Sequence, residues 1–207
     1  PYTTLFRSAK ASDFASEASK AYKQKNFTGA LELFQKAMDI YEANDTVEKP
    51  QVYFSAGVAA FKSKKYEKAS QCFGRSGELD YNPEKSYKFQ YMALKKFASE
   101  EQMHEALVKA YKNAPDVAMV QTLAANSYTK KGLEPYKEGA KIIEDAQPLL
   151  KAEKIEKYNA EVEKASVKFE KALPSMEKAV EINPEKENAL MALKQIYTVL
   201  EMENELK

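Results

Sequence analysis

The chain has 207 residues, 44% of them hydrophobic and 30% charged, which is enough apolar material for a packed core and too much for a disordered chain. Its 32 basic and 31 acidic side chains nearly cancel, and only Arg7 and Arg75 are arginine, so a broad phosphate-gripping face for nucleic acid is not expected. One cysteine (Cys72) and one histidine (His104) exclude a disulfide framework and a multi-cysteine zinc site, and no run of about 18 apolar residues is present to span a membrane.

Residues 1–8, PYTTLFRS, read as the translation of a common short-read sequencing adapter and so as non-native sequence. The native part then starts near Ala9 as an open-ended fragment, further repeats can precede it, and any signal peptide would be missing. With Arg7 set aside, basic and acidic residues balance.

From Ala9 onward one pattern returns. In unit 9–46, Phe14, Ala18, Ala21 and Tyr22 share a helix face, and a short turn follows at Gln24-Lys25-Asn26. Phe27, Ala30, Phe34 and Ala37 then alternate large and small residues at steps of three and four. Unit 50–82 repeats this, with Tyr53, Ala56, Gly57, Ala60 and Phe61 before Ser63-Lys64-Lys65, and Tyr66, Ala69, Phe73 and Ser76 after it. Unit 83–115 carries a weaker copy in Met103, Ala106, Ala110 and Asn113. Unit 116–150 has Tyr136, Gly139, Ile143 and Ala146 after a lengthened turn at Gly132-Leu133-Glu134, and unit 152–184 has Phe169, Ala172, Met176 and Ala179. The lead residues 27, 66, 103, 136 and 169 are spaced by 39, 37, 33 and 33. Such self-similarity marks a helical repeat array, read here as a single domain over 9–207. Ala30, Ala37, Ala69, Ala106, Gly139, Ala172 and Ala179 are the expected close-packing positions between helices.

Two features modulate the pattern. Ile155, Tyr158, Val162, Ala165, Phe169, Ala172, Met176 and Ala179 form an unbroken heptad-like stripe, which predicts an elongated helix near 152–173. Its solvated outer face is the simplest reading, and a docking or dimerising helix is the alternative. Pro174 should kink this helix or start a new one. Pro50, Pro83, Pro115, Pro135, Pro148 and Pro184 are expected where helices begin or connections lie. Residues 185–207 close the chain as a cap, with Leu190, Leu193, Ile196, Tyr197 and Leu200 on one side and Glu and Lys opposite.

The run from Tyr22 to Ala37, YKQKNFTGALELFQKA, and the run ALPSMEKAVEINP from Ala172 to Pro184 resemble the tetratricopeptide repeat (TPR) family. The layout with its Lys- and Glu-rich insert is similar to TPR proteins of the Bacteroidota. The resemblance covers roughly residues 9–202. It implies an all-α solenoid of about five helix–turn–helix repeats wound into a right-handed superhelix. It also implies a non-catalytic scaffold that binds a protein or peptide in a concave groove lined by the first helix of each repeat, and it leans toward the periplasm or envelope. Mapped onto this chain, the groove positions are Ala15, Ser19 and Tyr22 in the first unit, Phe54, Val58 and Phe61 in the second, and Tyr91 and Lys95 in the third, the last two with a one-residue uncertainty in register. The lysine and asparagine clamp for a terminal carboxylate is not matched, because its places hold Ala15, Ser19 and Met92.

The residues that could carry chemistry point the same way. His104 has no ligand partner at metal spacing, Cys72 reads as a small buried hydrophobe, and no phosphate loop or nucleophile elbow occurs. No enzyme activity, cofactor or metal is expected. Asn44-Asp45-Thr46 resembles a glycosylation acceptor. The rival reading is a structural or assembly protein of the cell envelope that works through its edges or convex face. A monomer is the favoured state.

Overall fold

A computed structural model describes residues 2–43 and 48–200, with side chains from Ala9 onward. These residues form nine helices and no strand: α1 (Tyr2–Lys23), α2 (Phe27–Ala43), α3 (Pro50–Lys62), α4 (Tyr66–Glu78), α5 (Pro83–Leu94), α6 (Glu100–Asn113), α7 (Ala118–Lys151), α8 (Ile155–Ile182) and α9 (Glu187–Val199). They fall into two units, one up to Val120 and the other from Gln121. The stretch at 44–47 that resembles a glycosylation acceptor and the last seven residues lie outside the described residues.

The first unit is a series of three hairpins in which α1 packs on α2, α2 on α3, α3 on α4 and α4 on α5. The turns follow from backbone hydrogen bonding. After α1, the Lys25 amide donates to the Tyr22 carbonyl and the Asn26 amide to the Ala21 carbonyl, with Lys25 in the left-handed region at φ 62°. After α3, Lys64 and Lys65 repeat the arrangement onto Phe61 and Ala60, with Lys64 at φ 61°. This is the Schellman closure, in which two otherwise unpaired carbonyls of the last turn are satisfied. The next helix is then started by a side chain. Asn26 accepts from the Gly29 amide, and Ser99 and Gln102 form a capping box that starts α6. Pro50 and Pro83 occupy the first turns of α3 and α5, where a missing N–H costs nothing.

Small residues set the helix separations. Ala30, Ala37 and Ala69 are wholly buried. Gly57 faces the Phe73 ring so closely that a Cβ there would come within 2.8 Å of it, and Gly77 faces Tyr87 in the same way at 2.6 Å. Phe73 and Met38 are almost fully enclosed, and burying each such side chain is worth about 1.5–3 kcal/mol. Polar ties complete the unit. The buried Ser76 hydroxyl donates to the Pro50 carbonyl at 3.1 Å, and that of Ser86 donates to the Tyr81 carbonyl at 2.7 Å. Arg75 donates to Glu48 through Nε (3.0 Å) and Nη2 (2.5 Å) and pairs with Glu78 at 3.3 Å. Glu78 also takes Lys109 of α6 at 2.6 Å.

The second unit departs from the expected pattern. The turn expected at Gly132-Leu133-Glu134 is not formed, because α7 is helical throughout from Ala118 to Lys151. Pro135 and Pro148 therefore sit inside this helix, not at its boundaries. Pro174 likewise does not break α8, which extends the elongated helix expected near 152–173 as far as Ile182. Segments 116–150 and 152–184 are thus one helix each, and they pair with each other as a single long hairpin. Packing is the reason. Gly132 is buried against α8, where a Cβ would lie 3.1 Å from the Ala172 carbonyl oxygen, so its missing side chain serves approach rather than a turn. Gly139 receives the Phe169 ring, which a Cβ would meet at 2.8 Å. Around these contacts Leu133, Tyr136 and Ala140 pack on a core of Phe169, Met176, Leu193 and Ile196, which outweighs the hydrogen bond that each proline forfeits. Two long-range bonds fix α9: Tyr136 donates to Gln195 at 2.6 Å, and Tyr197 donates to Glu177 at 2.8 Å.

Candidate functional site

The first unit has an open pocket of about 240 Å³ between α1 and α3, lined by Ser19, Tyr22, Lys23, Phe34, Phe54, Ser55 and Val58. Helical periodicity places these residues. Ser19, Tyr22 and Lys23 share a face of α1, and Phe54, Ser55 and Val58 a face of α3. Between them, Phe34 from α2 is buried. Tyr22 is held edge-on against Phe27, the first residue of α2, at 5.2 Å between ring centroids. The Ser19 hydroxyl turns back to the Ala15 carbonyl at 2.9 Å. No carboxylate lines the pocket.

Four of the eight groove positions mapped from the sequence, Ser19, Tyr22, Phe54 and Val58, therefore meet in one place. The others do not line it. Phe61 stacks edge-on with Tyr66 across its own turn, at 5.3 Å. Tyr91 and Lys95 pair with each other at the end of α5, the ammonium 5.7 Å from the ring centroid. Phe54 plays two roles. One side of it faces the pocket, while its ring also meets Phe73, Tyr81 and Phe89 edge-on at 5.4, 5.7 and 5.8 Å. The Lys85 ammonium lies 5.5 Å from the Phe54 ring centroid. It is Phe89 of α5, two residues before Tyr91, that continues the aromatic surface begun on α3, one position beyond the register uncertainty expected in this repeat.

Sequence reasoning missed Phe34, Ser55, Lys23, Phe89 and Lys85. Phe34 belongs to a packing pattern, and nothing in that pattern tells a filled gap from an open one. Ser55 and Lys23 lie one residue from Phe54 and Tyr22, and would have been found by taking each helix face as wider than a single row. Among the packing positions, Ala30, Ala37, Ala69, Ala172 and Ala179 are wholly buried and Gly139 is buried. Ala106 is half-buried, and Leu107 and Ala110 take the buried places on α6.

Cys72 is enclosed on α4, and burial pushes its thiol up to about 11, so it stays protonated at neutral pH. His104 is half-buried on α6. Among the described residues no three His, Cys, Asp or Glu side chains converge on a common point, and no helix is long and apolar enough to cross a membrane.

This is the architecture of an all-α helix–turn–helix repeat protein. A TPR-repeat protein from Bacteroides fragilis superposes on it with a TM-score of 0.53 and 21% identity, over 91% of this chain and 98% of that one. YrrB, a TPR protein with an unusual peptide-binding site, aligns over 87% of this chain and 90% of its own at 17% identity and a TM-score of 0.39. The first likeness gives the chain a TPR-type helical-repeat fold, in keeping with the resemblance to Bacteroidota repeat proteins. No protein-family model and no curated protein matches the sequence.

Proposed function

We propose that the chain is a non-catalytic interaction module that holds a protein or peptide partner at the pocket between α1 and α3. The observation that carries this reading is the pocket itself: it brings together residues of two successive first helices, Tyr22 with Phe54 and Val58, over an apolar floor. Its volume of about 240 Å³ falls below the roughly 300–1,000 Å³ of small-molecule and cofactor sites, and suits the anchoring side chain of a larger partner. Phe54 is a poor residue to truncate as a test, because three ring contacts would be lost with it. A photo-crosslinking residue at position 55 is the better probe. It should yield one reproducible product in cells, and Val58→Asp should remove it without loss of helicity. A product that survives Val58→Asp places the partner elsewhere and defeats the reading.

The assembly reading keeps one observation in its favour. On α9, Leu190 is 39% and Met191 71% exposed, so this helix presents apolar side chains on its outer side as well as the polar ones expected of a cap. Self-association that disappears with Met191→Lys would support it.

A further inference from the structure

We infer that the occupant of the α1–α3 pocket is an amphipathic helix with acidic flanks, which inserts one large apolar side chain between Tyr22, Phe54 and Val58. The inference rests on the pocket being the partner site, and two further observations give it a chemistry.

The first is charge. The first helices of the three hairpins, counted from Ala9, carry Lys10, Lys20, Lys23, Lys62, Lys85 and Lys88 against three carboxylates, Asp13, Glu17 and Glu84. The second helices α2, α4 and α6 carry five basic side chains (Lys36, Lys68, Arg75, Lys109, Lys112) against eight acidic ones. The unit is thus cationic along its first helices and anionic along its second, although the whole chain is near neutral. The excess is focused at the pocket. Lys23 lines it, Lys85 stands over the Phe54 ring that forms its wall, and Lys62 is one helical turn on from Val58. Cations around an apolar floor select a ligand with carboxylates around an apolar anchor, and steer it in from solution.

The second is the lack of partners for a bare backbone. An extended peptide needs donors and acceptors for its own N–H and C=O groups. The lining offers three hydroxyls (Ser19, Tyr22 and Ser55) and one ammonium, with no Asn or Gln, and the Ser19 hydroxyl already gives its proton to Ala15. A helix satisfies its backbone internally and presents only side chains, which is what this surface can receive.

Selection of a random 16-residue peptide library on the purified full chain tests this. The enriched sequences should carry net negative charge, apolar residues at i, i+3 or i+4 and i+7, and no proline in that stretch. A peptide from the pool should bind more weakly as salt rises. Lys85→Glu should weaken it by roughly tenfold. That change adds an acidic residue to the first turn of α5, where it favours the helix, so weaker binding does not report misfolding. Ser55→Trp and Ser19→Trp, the latter at an exposed position of α1, should each fill the pocket and end enrichment. Enriched peptides that are neutral, basic or proline-rich, yet are lost on pocket filling, overturn the acidic-helix assignment and leave the pocket as the partner site. Enrichment that persists in both tryptophan variants, or none beyond theirs, overturns both.

Discussion

Arg75 of α4 gathers two carboxylates, Glu48 ahead of α3 and Glu78 on its own helix, and so fastens the chain entering the second hairpin to the helix that leaves it. The guanidinium beside it holds the Glu48 carboxyl below its ordinary value of 4.5. Burial and the neighbouring Glu48 charge in turn keep the Tyr53 hydroxyl protonated far into alkali. The direction of the Glu48 shift fixes a pH dependence. A carboxylate held low in the folded state contributes its full stabilisation above about 4.5, and loses it as acid protonates the folded form. Glu48→Gln should therefore lower the urea midpoint at pH 7, and the gap from the parent should narrow steadily below about pH 4.5. The Arg75 side chain is 43% exposed, so the neutral-pH loss should be modest and should shrink further in high salt. A gap that stays constant from pH 7 to pH 3 would mean that the charge on Glu48 contributes nothing.

At the scale of the element, the turns show a residue in a conformation it does not favour. Lys64 closes α3 at φ 61°, and Lys25 closes α1 at φ 62°. A left-handed conformation costs an L-residue roughly 1–2 kcal/mol, whereas glycine adopts it freely but surrenders more entropy on folding. The difference should favour Lys64→Gly by about 0.5–1 kcal/mol in urea unfolding, with no gain from Lys64→Ala. Equal stability of the two variants would show that the turn is unstrained. These turns were legible in the sequence because they interrupt a clear face: Phe61 ends one apolar row and Tyr66 starts another, with four polar residues between. The break at Gly132-Leu133-Glu134 has the same local look, and Pro135 strengthens it. Its real role depends on residues some 40 positions away, because Gly132 is small to admit Ala172 and Met176 of α8. Local periodicity reports which residues are small or large and not which neighbour they meet. For the same reason the sequence indicated Tyr22, Phe54 and Val58 as facing outward, but the open space between them depends on how α1 and α3 sit on Phe34.

Across the molecule, burial is uneven in a way that should govern how the chain opens. In a helical-repeat protein each element is held mainly by its neighbours, so local stability follows local coverage. In the first unit α3 and α4 are covered on both sides: Ala56, Ala59, Ala60, Ala69 and Phe73 are wholly buried, and α2 and α5 flank them. The second unit has a different profile along its long hairpin. Around Phe169, Met176 and Ile196 it is fully packed. Toward the turn joining α7 to α8 the cover runs out, with Leu150 at 42% and Ile155 at 48% exposure, and no residue of α8 before Ala165 is buried. That leaves ten residues, about 15 Å of helix, held mainly by their own hydrogen bonds. A segment that short is marginal as an isolated helix in water. Amide hydrogen exchange should therefore rank the molecule in a fixed order. Amides of residues 156–163 should exchange first, by local fraying that is insensitive to dilute denaturant. Those of residues 170–180 should be slower, and those of residues 56–60 and 69–73 among the slowest, opening only with loss of structure in the first unit. A Lys64→Gly change should slow exchange in residues 56–60 and leave 156–163 untouched, because the fraying end is governed by its own hairpin. Uniform protection along α8 would instead mean that the apolar stripe of Ile155, Tyr158 and Val162 is covered in solution.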